Sequence, residues 1–421
     1  VSPLLRKIPA WLMLELSRAA KRRRLERVKR RLPALAARPP ASSAMIELDH
    51  NQIEGKSPMA DSTTKTVGVD LAKQVFAICE TNHSGHVIRR LELRRDAFCQ
   101  YLSQLPAASV VAMEACSGAH HWARLCQRNG LVPKIIAAQF VTPFRKSARN
   151  KNDRNDAEAI ATAARQGNMR FVAVKDVDQQ ARLCWHRVRE GYKVKSLAIA
   201  NRLRGLLAEF GLAIARSDSA LQRALADDLL RIQLPDTLLP LLDDLYAHWQ
   251  QVKQRITAID RPIAAHAKVD TRSVRAQQLI GVGPLTADAL VASIGNGHEF
   301  ANGRQLAAWL GLTPTQHSSG GKARLGGISC RGDNYLRTLL IQGARSCLQQ
   351  AKLANPQTAT AEQIWITSLA SRLPFGKVLV AIANKHARQL WAMLRRGEDY
   401  DSEAWLQHPM VQRSRKKAIA A

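Results

Sequence analysis

The chain has 421 residues, with 63 Lys and Arg against 34 Asp and Glu, a formal net charge of +29. Hydrophobic residues at 46% and charged residues at 23% describe a globular protein large enough for two or three cores, so a miniature scaffold is excluded. The charge points to a polyanionic partner, nucleic acid ahead of an anionic membrane, because neutralising phosphates releases their counterions.

Residues 1–60 differ in texture from the rest: an apolar patch "IPAWLMLEL", the basic run "KRRRLERVKRR", then "LPALAARPPASSA". Too short and too closely followed by charge for a secretory signal, this stretch reads as a disordered or mis-assigned basic extension ahead of a start at Met45 or Met59. No run approaches the roughly 18 to 20 apolar residues of a membrane span, and the seven cysteines, odd in number and without a CxxC pair, suit reduced thiols; a soluble, cytoplasmic chain is expected. Cys116, His120, His121 and Cys126 lack the second paired element of a zinc site.

From Lys65 the sequence predicts strands at "KTVGVD", "QVFAICET" and "HVIRRLEL", the last two a hairpin about "NHSG". A buried strand "SVVAMEACS", a helix "GAHHWARLCQRNG" and a strand "LVPKIIAA" follow. Strands alternating with helices predict an α/β layer structure, assigned to residues 62–178. Residues 179–268 read as helical. Leu242, Leu245, Trp249, Val252, Ile256 and Ile259 recur at steps of 3 and 4, a seam under three heptads long that fits a dimerising coiled coil or a plain helical hairpin, with Pro262 stopping the helix. Residues 269–405 are predicted to be mainly helical, with a basic tail at 406–421. There "LIGVGPLTADAL" has the pattern of a helix-hairpin-helix, Gly281 and Gly283 exposing backbone amides to a phosphate and a helix starting at Pro284.

Two groups of residues could carry chemistry. Asp70 and Glu114 end predicted strands, and Asp153 and Asp156, at i and i+3, share one face if "DRNDAEAIATAAR" is a helix. Four converging carboxylates would repel one another unless hard divalent cations stood between them, a pair of Mg²⁺ ions being the expectation. Each acid alone also fits a solvated residue or helix cap, and Asp153 a plain N-cap. Arg145, Lys146, Arg149 and Lys151 lie directly upstream, placed to contact nucleic acid. The second group is "TPTQHSSGGKARLGGISCRGDNYLR", where a Ser among flexible glycines and the cations Lys322, Arg324, Arg331 and Arg337 could attack a phosphodiester, or could simply close a phosphate-binding turn.

"VGVDLAKQVF", "AMEACSGAHHWA", "KNDRNDAEAIA", "IGVGPLTADALVASIG" and "LAAWLGLTPTQHSSGGKARLGGISCRGDNYLRTLL" resemble, in this order and spacing, the insertion-sequence transposases that join a DEDD domain to a C-terminal serine domain, the insertion sequence 110/1111 family. The likeness runs from about Lys65 to Tyr400. It implies a RuvC-like RNase H fold whose metal-binding acids are Asp70, Glu114, Asp153 and Asp156, and a serine nucleophile in "SGG", here Ser319 with Ser318 directly before it, that links covalently to a DNA 5′ phosphate. It further implies a helical middle segment that assembles dimers or tetramers, a composite active site drawing acids and serine from different protomers, and double-stranded donor and target DNA selected through a structured noncoding guide RNA in a bacterial nucleoid. A DNA invertase of the same family, a Holliday-junction nuclease that hydrolyses through water, and a noncatalytic architectural protein are the competing readings.

Overall fold

The computed structural model describes residues 64–145, 153–322, 324–355 and 357–407, together with residue 412. The extension 1–60, the tail beyond 407 apart from residue 412, and Lys146, Arg149 and Lys151 lie outside the described residues.

The first half is a mixed sheet dressed by helices. Strands β1 (Thr66–Asp70), β2 (Val75–Thr81) and β3 (Val87–Arg94) lead into helix α1 (Arg95–Gln104); β4 (Val110–Glu114), α2 (Ala119–Arg128) and β5 (Val132–Ile136) follow. A short α3 (Ala138–Val141) and a 3-10 turn (Thr142–Phe144) precede α4 (Asp153–Ala164) and the brief β6 (Phe171–Val172). The sheet order is β3-β2-β1-β4-β5-β6, with β1 parallel to β4, β4 parallel to β5, and the outer pairs antiparallel. Together with a helical C-terminal region, this is consistent with an RNase H-like arrangement.

Alternation along the strands divides the sheet into a bulky face and a small one. Val67, Val69, Phe76, Ile78, Val111 and Met113 bury against α1 and α2, where the rings of Phe76, Phe98 and Trp122 meet at centroid distances of 5.0 to 5.2 Å. The opposite face offers Gly68, Ala77, Cys79 and Ala112 to an alanine-rich α4 that buries Ala157, Ala159, Ile160, Ala163 and Ala164. Small residues on both sides let this helix lie directly on the sheet. A Cβ on Gly68 would stand 2.1 Å from the Ala157 carbonyl oxygen and 2.6 Å from the Ala161 nitrogen.

Helix α5 (Val177–Glu209) begins at a capping box formed by Asp176 and Gln179. After α6 (Asp218–Leu225) and α7 (Asp228–Arg231), α8 (Leu239–Val269) returns antiparallel to α5: Trp249 donates to Ser196, Arg255 to Tyr192, and Arg189 pairs with Asp260. The seam is used within the chain. Leu242, Trp249 and Val252 are buried with Leu203 and Leu207 of α5, and Leu245 and Ile256 pack against the same cluster, as in the helical hairpin. Pro262 does not stop α8, which runs seven residues beyond it to Val269. Proline inside a helix costs about 3 kcal/mol; burial of Ile263 and Ala267 past it offsets that cost.

A third core spans α9 (Thr271–Ala276), α10 (Pro284–Ile294), α11 (Gly303–Trp309), α12 (Asn334–Leu353), α13 (Ala361–Ala370) and α14 (Phe375–Arg396), with an antiparallel hairpin of β7 (Pro314–Gln316) and β8 (Leu325–Ile328) between α11 and α12. It is tied to α5 by a buried ionic cluster. Arg182 pairs with Asp288 and, at 2.7 Å, with Asp270, while His186 Nε2 lies 2.8 Å from Asp288 Oδ2 and its Nδ1 3.0 Å from the Tyr335 hydroxyl. Burial alone would push the Asp288 carboxyl up, but the bonds from His186 and Arg182 hold it below the usual carboxylate range. Among the described residues, no helix is long and apolar enough to cross a membrane.

Candidate active site

Asp70 and Glu114 are the last residues of β1 and β4. The parallel register that pairs Val69 with Met113 sets the two acids side by side at one edge of the sheet. Because Gly68 admits α4 at backbone contact distance, the start of that helix reaches the same edge. Asp153 is its first residue, its side chain outside the described set, and Asp156, one turn on, is only 5% exposed. Glu158 turns elsewhere, to Arg90 of β3 at 2.6 Å.

Arg145 joins two of these acids. Its backbone N–H closes the 3-10 turn on the Thr142 carbonyl, and its guanidinium lies between Glu114 and Asp156. Nη2 donates to Glu114 Oε1 at 3.1 Å, and Nε stands 3.0 Å from Asp156 Oδ1. The second contact is an ion pair rather than a hydrogen bond, since the N–H does not aim at the oxygen and this buried nitrogen has no hydrogen-bond partner. Among the described residues, no three His, Cys, Asp or Glu side chains stand close enough together to hold a metal; Glu114 and Asp156 meet across the guanidinium instead. The Cys116 thiol beside them is pushed up by burial and by the charges of Asp70 and Glu114, which registers the negative potential gathered at this edge. Two carboxylates already sharing one cation, with an orphaned buried nitrogen on that cation, offer the oxygen donors that a hard divalent ion takes.

The serine group sits on the β7–β8 hairpin. Gly320 and Gly321, at φ of +53° and +77°, turn the chain so that Lys322 N–H meets the Ser319 carbonyl at 3.1 Å. The two serines differ. Ser318 Oγ accepts from Arg324 N–H and from Gln316 Nε2, both at 3.0 Å, whereas Ser319 Oγ is exposed and hydrogen-bonded to none of the described residues. Lys322 and Arg324 are exposed beside it on the hairpin, and Arg331 is exposed beyond the hairpin's base, next to Gly311. Arg337 is buried instead, donating to the Leu310 carbonyl at 2.9 Å.

The two glycines of the helix-hairpin-helix pattern part company. Gly281, at φ +83°, faces α12, where a Cβ would meet Cys347 Sγ at 2.5 Å and the Gly343 carbonyl oxygen at 2.7 Å; Gly283 faces open space at the start of α10. Sequence reasoning placed Arg145 on nucleic acid and missed its bond to the acids. It also passed over Gly68, although a glycine inside a strand signals close backbone approach.

Comparison with known proteins covers both halves of this arrangement. The IS110-type DEDD model described as "Transposase" matches residues 67–211, and the model described as "Transposase IS116/IS110/IS902 family" matches residues 274–360. The chain is 44% identical over 337 residues to a probable family 20 transposase of Pseudomonas aeruginosa, covering 79% of this chain and 98% of that protein. It is 38% identical to the transposase for insertion sequence element IS1111A of Coxiella burnetii (86% and 98% covered), and 36% identical to that for IS1328 of Yersinia enterocolitica (79% and 97%).

Proposed function

The chain belongs to the IS116/IS110/IS902 family of transposases, enzymes that cut and rejoin DNA, and from that premise we propose a mechanism in which Ser319 forms a phosphoserine link to DNA beside a Mg²⁺ site built from Asp70, Glu114, Asp153 and Asp156. The DEDD domain implies a divalent-metal-dependent site, and the observation that supports its location is the meeting of Glu114, at the end of β4, and Asp156, in the first turn of α4, on a single cation. Bound there, Mg²⁺ supplies Lewis-acid stabilisation of charge on the phosphate.

The chain's own groups do the rest. Ser319 Oγ attacks the phosphorus and gives up its proton; the new O–P bond forms as the bond to the 3′ oxygen breaks, and that oxygen leaves as a 3′ hydroxyl. Attack by the 3′ hydroxyl of another strand reverses the exchange and restores the serine, so the phosphodiester is conserved without hydrolysis. Lys322, Arg324 and Arg331 hold the strand's phosphates around the hairpin. The exposure of Ser319 Oγ, set against the engagement of Ser318 Oγ, favours Ser319 as the nucleophile.

In this reading residues 62–178 carry the acids, 179–268 assemble protomers, and 269–405 carry the serine. Acids and serine come from different protomers of a dimer or tetramer, and a structured noncoding RNA selects donor and target DNA. The test incubates protein, that RNA, labelled donor DNA and Mg²⁺. A protein–DNA adduct mapping to Ser319 and absent from Ser319→Ala is expected, whereas free cleaved DNA from Ser319→Ala would assign the chemistry to water and overturn the reading.

A further inference from the structure

We infer that Arg145 is a built-in competitor for the metal, its guanidinium taking the position between Glu114 and Asp156 that a divalent cation would occupy and leaving it when the cation binds. The inference rests on the metal-site reading above and adds a regulatory step to it.

Three observations carry it. The guanidinium contacts both acids, on two different elements, so it makes the bridging contact a metal would make. Its fit is imperfect: Nε is buried, 3.0 Å from a carboxylate oxygen, yet not hydrogen-bonded, and planar donors splayed toward two separate carboxylates satisfy them less completely than the bidentate pairing arginine makes with one. Its backbone belongs to neither element: Arg145 is extended and caps the 3-10 turn, so its charge is carried by a side chain that is part of neither β4 nor α4. Asp156 is 5% exposed, and a carboxylate so buried needs a positive partner whether or not a metal is present. Arg145 meets that need in the metal-free protein. Guanidinium and divalent ion repel strongly at this separation, so occupancy by one excludes the other, and each weakens the other's hold by the same factor. Displaced, the guanidinium would have its donors free for a substrate phosphate, which would make cation loading and DNA capture successive uses of one side chain.

The test titrates Mn²⁺ alone into the full chain without nucleic acid, reading bound metal by electron paramagnetic resonance, in the natural protein, Arg145→Gln, Arg145→Lys and Glu114→Gln. Removing the competitor is expected to tighten Mn²⁺ binding about 5-fold or more. Arg145→Lys, whose single ammonium cannot span both acids, should fall between. In thermal melts Arg145→Gln should be less stable than the natural protein without metal and gain more from Mn²⁺. Should Arg145→Gln not survive purification, the Arg145→Lys titration carries the same comparison. Equal or weaker Mn²⁺ binding by the Arg145 variants, with binding still lost in Glu114→Gln, would overturn the competitor and leave the site intact. Binding indifferent to Glu114→Gln would overturn the site, and the inference with it.

Discussion

At the acid edge, Asp156 is almost wholly buried and α4 lies so near β1 that Gly68 has no room for a Cβ; on the serine hairpin, Ser318 through Lys322 are all exposed, and a Cβ on Gly320 would meet nothing within 4 Å. Asp156 is therefore positioned by packing before any ligand arrives, the preorganisation that electrostatic stabilisation in the proposed site would need. Ser319, the proposed nucleophile, is presented instead on an exposed turn held by two positive-φ glycines and the Ser318 hydrogen bonds, with no packing above it among the described residues. The two sites consequently respond to different kinds of damage.

Gly68→Ala should do the most harm, displacing α4 and costing about 3 kcal/mol in chemical denaturation, with loss of metal-dependent cleavage. Gly320→Ala, strained only by its positive φ, should cost about 1 kcal/mol; equal costs at the two glycines would break the contrast. His120 on α2 comes next. Its Nδ1 accepts the Lys175 N–H at 3.2 Å, and burial, with Lys175 and Arg124 nearby, lowers its pKa from 6.5 to about 4. The folded protein thus keeps this ring neutral where the unfolded chain takes up a proton, so stability falls as pH drops from about 6.5 toward about 4. Unfolding free energies from urea curves at pH 7 and 4.5 should differ by on the order of 1 kcal/mol more in the natural protein than in His120→Gln. Ser318→Ala should be mildest: two exposed hydrogen bonds lost for about 0.5 kcal/mol, a few-fold slower adduct formation, and the adduct still on Ser319. Adduct loss equal to that of Ser319→Ala would reassign the nucleophile.

Most of the acid edge was legible in the sequence, because strand-end acids and an i, i+3 pair are local patterns. The strands, the α8 seam and the helix at Pro284 were legible for the same reason. What escaped depends on contacts between distant segments. Arg145 looked like one more member of a basic run, and only the closeness of β4 and α4 turns its charge inward. Pro262 looked like a terminator because its local cost is visible, whereas the buried Ile263 and Ala267 that outweigh it are tertiary. Gly281 carried a phosphate-binding pattern, yet its missing side chain makes room for the backbone of α12 at Gly343.

Helix α5 has 33 residues and so a length of about 50 Å. Arg182 and His186, near its first turns, are locked to Asp288 and Asp270, while its far half is embedded in a separate cluster with α8. A long rod clamped close to one end is a lever with its fulcrum at the clamp. A slight pivot of the core that holds Asp288 sweeps the distant tip through a much larger arc, so small adjustments around the serine half are magnified wherever that tip is gripped.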